Sequence, residues 1–234
     1  MAATNLNSRI QDIIGEDMDA TLVPGYGDLV ADAFNYIADL IPPDSELWTI
    51  SDDDTTAVNY KEFVSTAPKS SDLNLGTVKL LFAEAKYTGD DSFIPCLQIK
   101  YTEYLKGLNP NSIYTHGGSY YSPVFTSDHK GLLLVSPGLE DEPNGTLRVY
   151  YFDYLTGATD FEVATISGFP TKANYAACLK SAHNLIMGRM SDATQDDEDL
   201  ELVQLLQAQS QSIENRLQWE TTRLVGGKVM GEKE

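Results

Sequence analysis

The sequence predicts an α+β protein in which helices from both ends of the chain form a bundle, with a β-rich segment inserted between them. Apolar residues recur every three or four positions at both ends, which indicates helices with one apolar face. From Trp48 to Phe169 they fall instead in short runs separated by turn residues, which is typical of strands. Because a one-faced helix must bury that face against another element, the end helices are expected to pack together. The predicted units are a bundle at 1–47 and 168–225, a β-rich insertion at 48–167, and a flexible tail at 226–234.

Two helices are expected in the first 47 residues. Asn7-Ser8 offers a cap for a short amphipathic helix, and Gly15 suits its C-terminal end. Asp28 offers the N-cap of a second helix, whose apolar stripe includes Phe34. Pro42-Pro43 cannot continue a helix, so the second helix is expected to end there.

The middle of the chain is expected to hold the strands. They are predicted at 58–60, 63–64, 78–87, 132–135, 147–154 and 161–166. The strand at 147–154 follows Asn144-Gly145, a dipeptide favoured in hairpin turns. Residues 95–105 alternate like a strand but also carry helical spacing, and the continuing apolar face at Tyr104-Leu105 favours a helix there.

Two more helices are expected after Gly168-Phe169-Pro170. The acidic run 192–199 becomes the negative first turn of the last helix, which the helix dipole favours, and Gly226-Gly227 ends it. The residues expected to hold the four helices together are Phe34, Ile37, Leu179, Ile186, Leu206 and Ile213.

The charge of the chain argues against a protein that grips nucleic acid. The net charge is -19, and the 16 Lys and Arg residues are scattered, whereas phosphate binding needs clustered cations. No apolar run is long enough to cross a membrane, and the N-terminus lacks the pattern of a secretory signal. A location in the cytoplasm of the cell that makes the chain is therefore expected, with Cys96 and Cys178 as buried free thiols.

A catalytic or metal site is not expected. His116, His129 and His183 do not stand in a metal-binding spacing, and the sequence contains no GxSxG, GxGxxG or Walker-type motif. The run 52–54 lacks the later Gly and Glu of an EF-hand. We therefore predict no catalytic residue, no cofactor and no bound metal. The 13 tyrosines favour protein interfaces over stacking of sugars or bases.

The order of these features resembles a known family of virion proteins. The resemblance rests on seven segments: 8–15, 32–42, 108–114, 123–125, 149–151, 166–170 and 174–179. Together they resemble the adaptor and connector proteins of tailed bacteriophages, which are also called head-completion proteins. The resemblance covers nearly the whole chain, but it is diffuse and contains no single diagnostic motif. The β-rich segment is larger than the smallest members of such families carry, which leaves open a different ring of the same neck.

The resemblance implies a homo-oligomeric ring, expected to be dodecameric, in the neck of a virion. Its expected partners are the portal protein and a tail or nozzle protein, and DNA is expected to pass through without specific binding. The C-terminal segment is expected to dock on the portal through Trp219, Leu224, Val225, Val229 and Met230. Acidic residues that do not hold phosphate are expected to line the passage, and the candidates are Asp52, Asp53, Asp54, Asp90, Asp91, Glu140, Asp141 and Glu142.

Three other hypotheses stay open on the sequence alone. A virion-associated carbohydrate- or receptor-binding module would use the tyrosine-rich loops. Another neck or tail ring, such as a tail terminator, would share the same composition. A small hydrolase would need a catalytic site that the sequence motifs do not reveal.

Overall fold

The computed structural model describes residues 5–15, 23, 25–49, 58–64, 76–107, 122–127, 133–136, 145–195 and 200–225. The chain divides into two compact units. One, here the helical unit, comprises residues 1–57 and 154–234, and the other, here the β unit, comprises residues 58–153. The protein is therefore of the α+β class, with helices and a sheet in separate units.

The helical unit contains four of the five α-helices found among the described residues. They are α1 (Leu6–Ile14), α2 (Tyr26–Leu40), α4 (Asn174–Gln195) and α5 (Leu200–Leu224). Gly15 ends α1 in the left-handed conformation, with φ of 84°, as the sequence predicts. The predicted caps are displaced by two residues or more: Asn5 caps α1 by accepting from the Ser8 amide, and α2 begins at Tyr26, ahead of Asp28. None of the described helices is long and apolar enough to span a membrane.

The end helices pack together, but they do not form the predicted bundle. All six residues expected to hold them, namely Phe34, Ile37, Leu179, Ile186, Leu206 and Ile213, are buried. Helix α4 is the common partner: α1, α2 and α5 each pack mainly against it rather than around a shared central core. Small residues on α4 explain this arrangement, since Ala177, Ala182 and Gly188 let neighbouring helices approach it closely.

The segment from Tyr154 to Pro170 belongs to the helical unit and is not regular structure. The predicted strand at 161–166 is therefore wrong. The carbonyl groups of Phe161 and Val163 accept hydrogen bonds from the amides of Asn7 and Leu6, at 3.1 and 2.8 Å, so this backbone completes the first turn of α1 instead of a sheet. Phe161, Ile166 and Phe169 are buried all the same, and the Phe161 ring packs against Phe34 with centroids 5.6 Å apart.

The β unit is built on one six-stranded sheet. Its strands are β1 (Asn59–Val64), β2 (Val78–Tyr87), β3 (Ile94–Gln98), β4 (Val124–Ser127), β5 (Leu133–Ser136) and β6 (Gly145–Asp153). The strand order is β1-β6-β2-β3-β4-β5, and every neighbouring pair is antiparallel except β3 and β4, which are parallel. The last strand in sequence thus lies inside the sheet, between the edge strand β1 and β2.

One face of the sheet carries the core of the β unit. The buried side chains include Phe63, Ala83, Phe125, Leu147 and Val149. The predicted helix at 95–105 is wrong in its first half, because residues 94–98 form β3 and the short helix α3 covers only Tyr101–Gly107.

Candidate interaction site

Helix α5 packs on α4 through a narrow stripe. The residues of α5 that are fully buried are Leu206, Ser210, Ile213, Leu217 and Glu220. They are spaced by three or four, which is the spacing of a two-helix seam. The rest of the helix is largely exposed, so α5 is a 25-residue helix held along one side only.

A group of large exposed side chains surrounds the C-terminal end of α5. Tyr36 of α2, Tyr175 of α4, and Trp219 and Val225 of the α5 end are exposed by 49%, 38%, 54% and 50% of their surface. We call these four residues the C-terminal patch. Large apolar side chains that gather on a surface mark interaction sites, whereas single exposed ones do not.

Two hollows flank α5 at this patch. One has a volume of about 390 Å³ and is lined by Tyr175, Asn215, Arg216, Trp219 and Glu220. The other, of about 380 Å³, lies between α2 and α5 and is lined by Tyr36, Leu40, Thr221, Thr222 and Val225. Both are shallow and apolar, a shape that suits side chains of a protein partner.

Each aromatic ring of the patch is paired with a cation. Arg223 lies 5.6 Å from the Trp219 ring centroid, and Arg216 and Lys180 lie 5.9 and 5.1 Å from the rings of Tyr175 and Tyr36. Arg216 also donates a hydrogen bond to the Tyr175 hydroxyl. Arg223 forms an ion pair of 2.8 Å with Glu220. The patch is therefore aromatic and locally cationic on a chain of net charge -19.

The structure describes three of the residues predicted to contact a partner. Trp219 and Val225 belong to the C-terminal patch, and Leu224 lines a third hollow with Leu47, Lys172 and Arg223. Val229 and Met230 lie outside the described residues. The sequence did not single out Tyr36, Tyr175, Arg216 or Arg223. Only the folded helices bring Tyr175 beside Trp219 and Tyr36 beside Val225.

Most of the predicted acidic channel residues lie outside the described residues, namely Asp52, Asp53, Asp54, Glu140, Asp141 and Glu142. Asp90 and Asp91 form the turn that follows β2. The Asp90 carboxylate accepts from the Tyr87 amide at 3.0 Å, so this residue stabilises its own turn. Asp91 is exposed.

The structure describes both cysteines and one histidine, His183. Within the described part of the chain there is no group of three His, Cys, Asp or Glu residues that could hold a metal ion. Burial raises the pKa of the Cys96 and Cys178 thiols to about 12, so neither forms a thiolate nucleophile near neutral pH. Burial also lowers the pKa of His183, which lies on α4.

The outer face of the sheet carries a second aromatic and charged cluster. The Arg148 guanidinium lies between the rings of Tyr60 and Phe93, 4.8 and 4.3 Å from their centroids. It donates to Glu62 at 2.6 and 2.9 Å and to the Tyr150 hydroxyl at 3.3 Å. Tyr150, which a sugar-binding module would expose, is 5% exposed. His116, His129 and the tyrosines at 114, 120 and 121 lie outside the described residues.

Comparison with known proteins adds no family. No protein-family model matches this sequence, and no curated protein is significantly similar to it. The interpretation of the site therefore rests on the residues themselves.

Proposed function

We propose that this protein is a structural subunit of a tailed-phage virion, an adaptor that joins the portal to the tail as part of a ring in the neck. The observation that carries the proposal is the C-terminal patch: four large side chains are exposed around the end of a helix that packs mainly on α4. Such a surface is suited to a protein partner, and aromatic residues and arginine are the types enriched at interface centres.

The patch has the features of an anchor rather than of a ligand pocket. Trp219 presents a large ring that is 54% exposed and lies under the Arg223 guanidinium. Burial of such a ring in a partner's pocket stabilises a complex by about 2 kcal/mol or more. In the proposed ring the partner is the portal, and the segment after Leu224 extends the same contact through Val229 and Met230.

The acidic composition supports the second part of the proposal, that DNA passes through the ring without being held. A cationic lining would bind phosphate by releasing counterions, which would oppose movement of the genome. Of the candidate acidic residues that the structure describes, Asp91 is exposed and Asp90 is engaged in its turn.

The test is electron microscopy of the purified chain mixed with the portal ring of the same phage. We expect density for a second ring on the portal with the wild-type chain and its loss with Trp219→Ala. Gln207→Ala, an exposed change elsewhere on α5, is the matched control and should bind like wild type. If the wild-type chain leaves the portal bare, the adaptor function is wrong.

A further inference from the structure

The positive charges of the helical unit lie mainly at one end of it. The structure describes six Lys and Arg residues in this unit. Two of them, Arg9 and Arg189, belong to α1 and to the second half of α4. The other four line the hollows beside the C-terminal patch or lie over its rings, namely Lys172, Lys180, Arg216 and Arg223. Within the helical unit, the patch is therefore a local exception to the acidic composition of the chain.

The carboxylates near the patch do not cancel this charge. Glu220 is the one acidic residue among the described residues that line the three hollows, and it is 7% exposed and paired with Arg223. Asp39 and Glu46 are exposed and stand next in sequence to the lining residues Leu40 and Leu47, but neither lines a hollow. Three cations and one carboxylate thus line the hollows, which leaves two net positive charges.

The cations lie on both sides of the exposed tryptophan. Arg216 and Arg223 are seven residues apart on α5, which places them on one face of the helix about 10 Å apart, with Trp219 between them. Tyr175 lines the hollow at Arg216, and Lys172 lines the hollow at Arg223. An apolar site is therefore flanked by one cation at one end and by two at the other.

The partners of these cations decide what can cover the patch. Arg223 has a carboxylate partner in Glu220, whereas Arg216 contacts the ring and the hydroxyl of Tyr175, which carry no charge. A partner that covers Trp219 also removes water from the neighbouring Arg216. Burial of a charge without an opposite charge is costly, so a purely apolar partner is disfavoured. A partner that brings a carboxylate to Arg216 removes this cost.

We propose that the C-terminal patch binds an acidic segment of its partner, in which carboxylates flank an apolar side chain. The apolar side chain covers Trp219 in the hollow that this ring shares with Tyr175. One carboxylate pairs with Arg216, whose planar guanidinium can hold it through two parallel hydrogen bonds. A second carboxylate pairs with Lys172 and Arg223. The proposal deepens the adaptor function, and it rests on that function only in taking the portal as the protein that carries the segment.

Nucleic acid is the other ligand that arginine and aromatic rings together can bind. A duplex carries about one charge per 1.7 Å along its whole length, so most of its phosphates would face a chain of net charge -19. A short acidic segment brings its negative charge only to the place where the cations lie. The small size of the cationic region within an acidic chain therefore favours a protein segment over DNA.

Nuclear magnetic resonance of the isotope-labelled full chain tests the proposal, because the sequence has two tryptophans and each gives one indole N–H signal. The probe is the peptide Asp-Glu-Leu-Phe-Glu-Asp with blocked ends, and its control is Asn-Gln-Leu-Phe-Gln-Asn. The acidic peptide should shift the Trp219 signal, which Trp219→Phe identifies. The signal of Trp48, which is 5% exposed, should move much less. The control peptide should bind about tenfold more weakly or worse, and added salt should weaken the acidic peptide because it screens the charges.

Two charge-removing variants locate the carboxylates. Arg216→Gln and Lys172→Gln should each weaken the acidic peptide by about threefold or more, because each removes one proposed ion pair. Lys100→Gln removes the same charge from an exposed site of the β unit and should bind like wild type. All three positions are exposed, so the folded chain should persist.

Three results would overturn the proposal: equal binding of the two peptides, a Trp219 signal that stays in place at several millimolar peptide or so, or tighter binding of a short DNA duplex at Trp219. The titration contains no portal, so it fails separately from the adaptor function. A chain that binds the acidic peptide but leaves the portal bare keeps the acidic-segment site and loses the adaptor function. A chain that forms a ring on the portal but ignores the peptide does the reverse.

Discussion

The two units each carry an arginine between aromatic rings, and the two clusters differ in how completely they are closed. Arg148 of the sheet is 20% exposed and directs its guanidinium donors to Glu62 and Tyr150 while two rings cover its faces. Arg223 of α5 is 55% exposed, has one carboxylate partner, and lies over one ring whose other side is open. The same residue types therefore hold a sheet together in one place and leave a surface open to a partner in the other.

The difference has a simple physical origin. β6 is paired on both sides, so side chains of β1 and β2 are within reach of Arg148. α5 packs mainly on α4, so many side chains on its other sides stay exposed. A residue on a central element tends to be enclosed by the fold, and a residue on a helix held by one seam stays available for binding.

Loss of the α4–α5 seam should have the largest effect. Leu206→Asp would place an unpaired charge at a site that is 1% exposed, and we expect the free energy of unfolding to fall by about 4 kcal/mol. Thermal unfolding of the helical unit would show this as a large drop in Tm or as loss of the folded protein.

The neighbouring Leu205→Asp provides the control. Leu205 is 57% exposed, so at a concentration where the chain is monomeric its replacement should change stability by less than about 0.5 kcal/mol. If Leu206→Asp melts like wild type, α5 is not held by this seam.

Disruption of the cluster around Arg148 should have the next largest effect. Arg148→Ala leaves Glu62 without its partner, removes one of the two hydrogen bonds of the Tyr150 hydroxyl and uncovers two rings, and we expect a loss of about 2 kcal/mol. Urea unfolding measures the change. Arg148→Lys should fall between wild type and Ala, because lysine keeps the charge but not the planar fork. An Arg148→Ala variant as stable as wild type would mean that the cluster around Arg148 does not stabilise the fold more than the cluster around Arg223.

A smaller loss of stability is expected in the cluster around Arg223. Arg223→Ala removes the partner of Glu220, whose side chain is 10% exposed, and should cost about 1 kcal/mol in the same urea measurement. Arg216→Ala is the comparison, because Arg216 is exposed and contacts only Tyr175 among the bonds described above, so its cost should be within about 0.5 kcal/mol. A loss at Arg216 as large as that at Arg148 would make the two clusters equivalent.

The smallest effect is a dependence of stability on pH through His183. Burial lowers the pKa of its imidazole below the ordinary value of 6.5, and the charge of Lys180 adds to this. The unfolded chain therefore binds the proton more readily, so stability is full above about pH 6.5 and declines as the pH falls toward the folded-state pKa. His183→Gln should flatten that part of the unfolding profile. A slope that persists in this variant belongs to other groups.

Helices and strands with a single clear periodicity of apolar residues could be predicted from the sequence. The strand predicted at 78–87 has the same bounds in the structure, and α5 forms where the spacing of apolar residues predicts a helix. Residues 94–107 could not be assigned, because a short strand and a short helix share one apolar pattern there. Phe161 and Ile166 were mistaken for strand residues, since burial alone does not tell whether a backbone pairs with a strand or with the start of a helix.

The site could be predicted only in part for a related reason. Trp219 and Val225 are apolar residues in the polar last turns of a helix, and that contrast is visible in the sequence. Tyr36 and Tyr175 lie about 180 and 40 positions before Trp219, and local spacing gives no sign that they come to lie beside the end of α5. The packing of α1, α2 and α5 on α4 decides which residues come into contact. That packing depends on how closely the helix backbones can approach each other.

The helical unit is built from two stretches of chain that the β unit separates in sequence, and this has a consequence during synthesis. Helices α1 and α2 emerge from the ribosome first, but their partner α4 begins only at Asn174, after the β unit in the sequence. At ordinary elongation rates the roughly 130 intervening residues take on the order of 10 seconds to make. During that time the residues around Phe34 have no partner to cover them, whereas the contiguous β unit can fold as it appears. The nascent chain is therefore most vulnerable to aggregation and chaperone capture before α4 arrives, and slow translation of the β unit prolongs that interval.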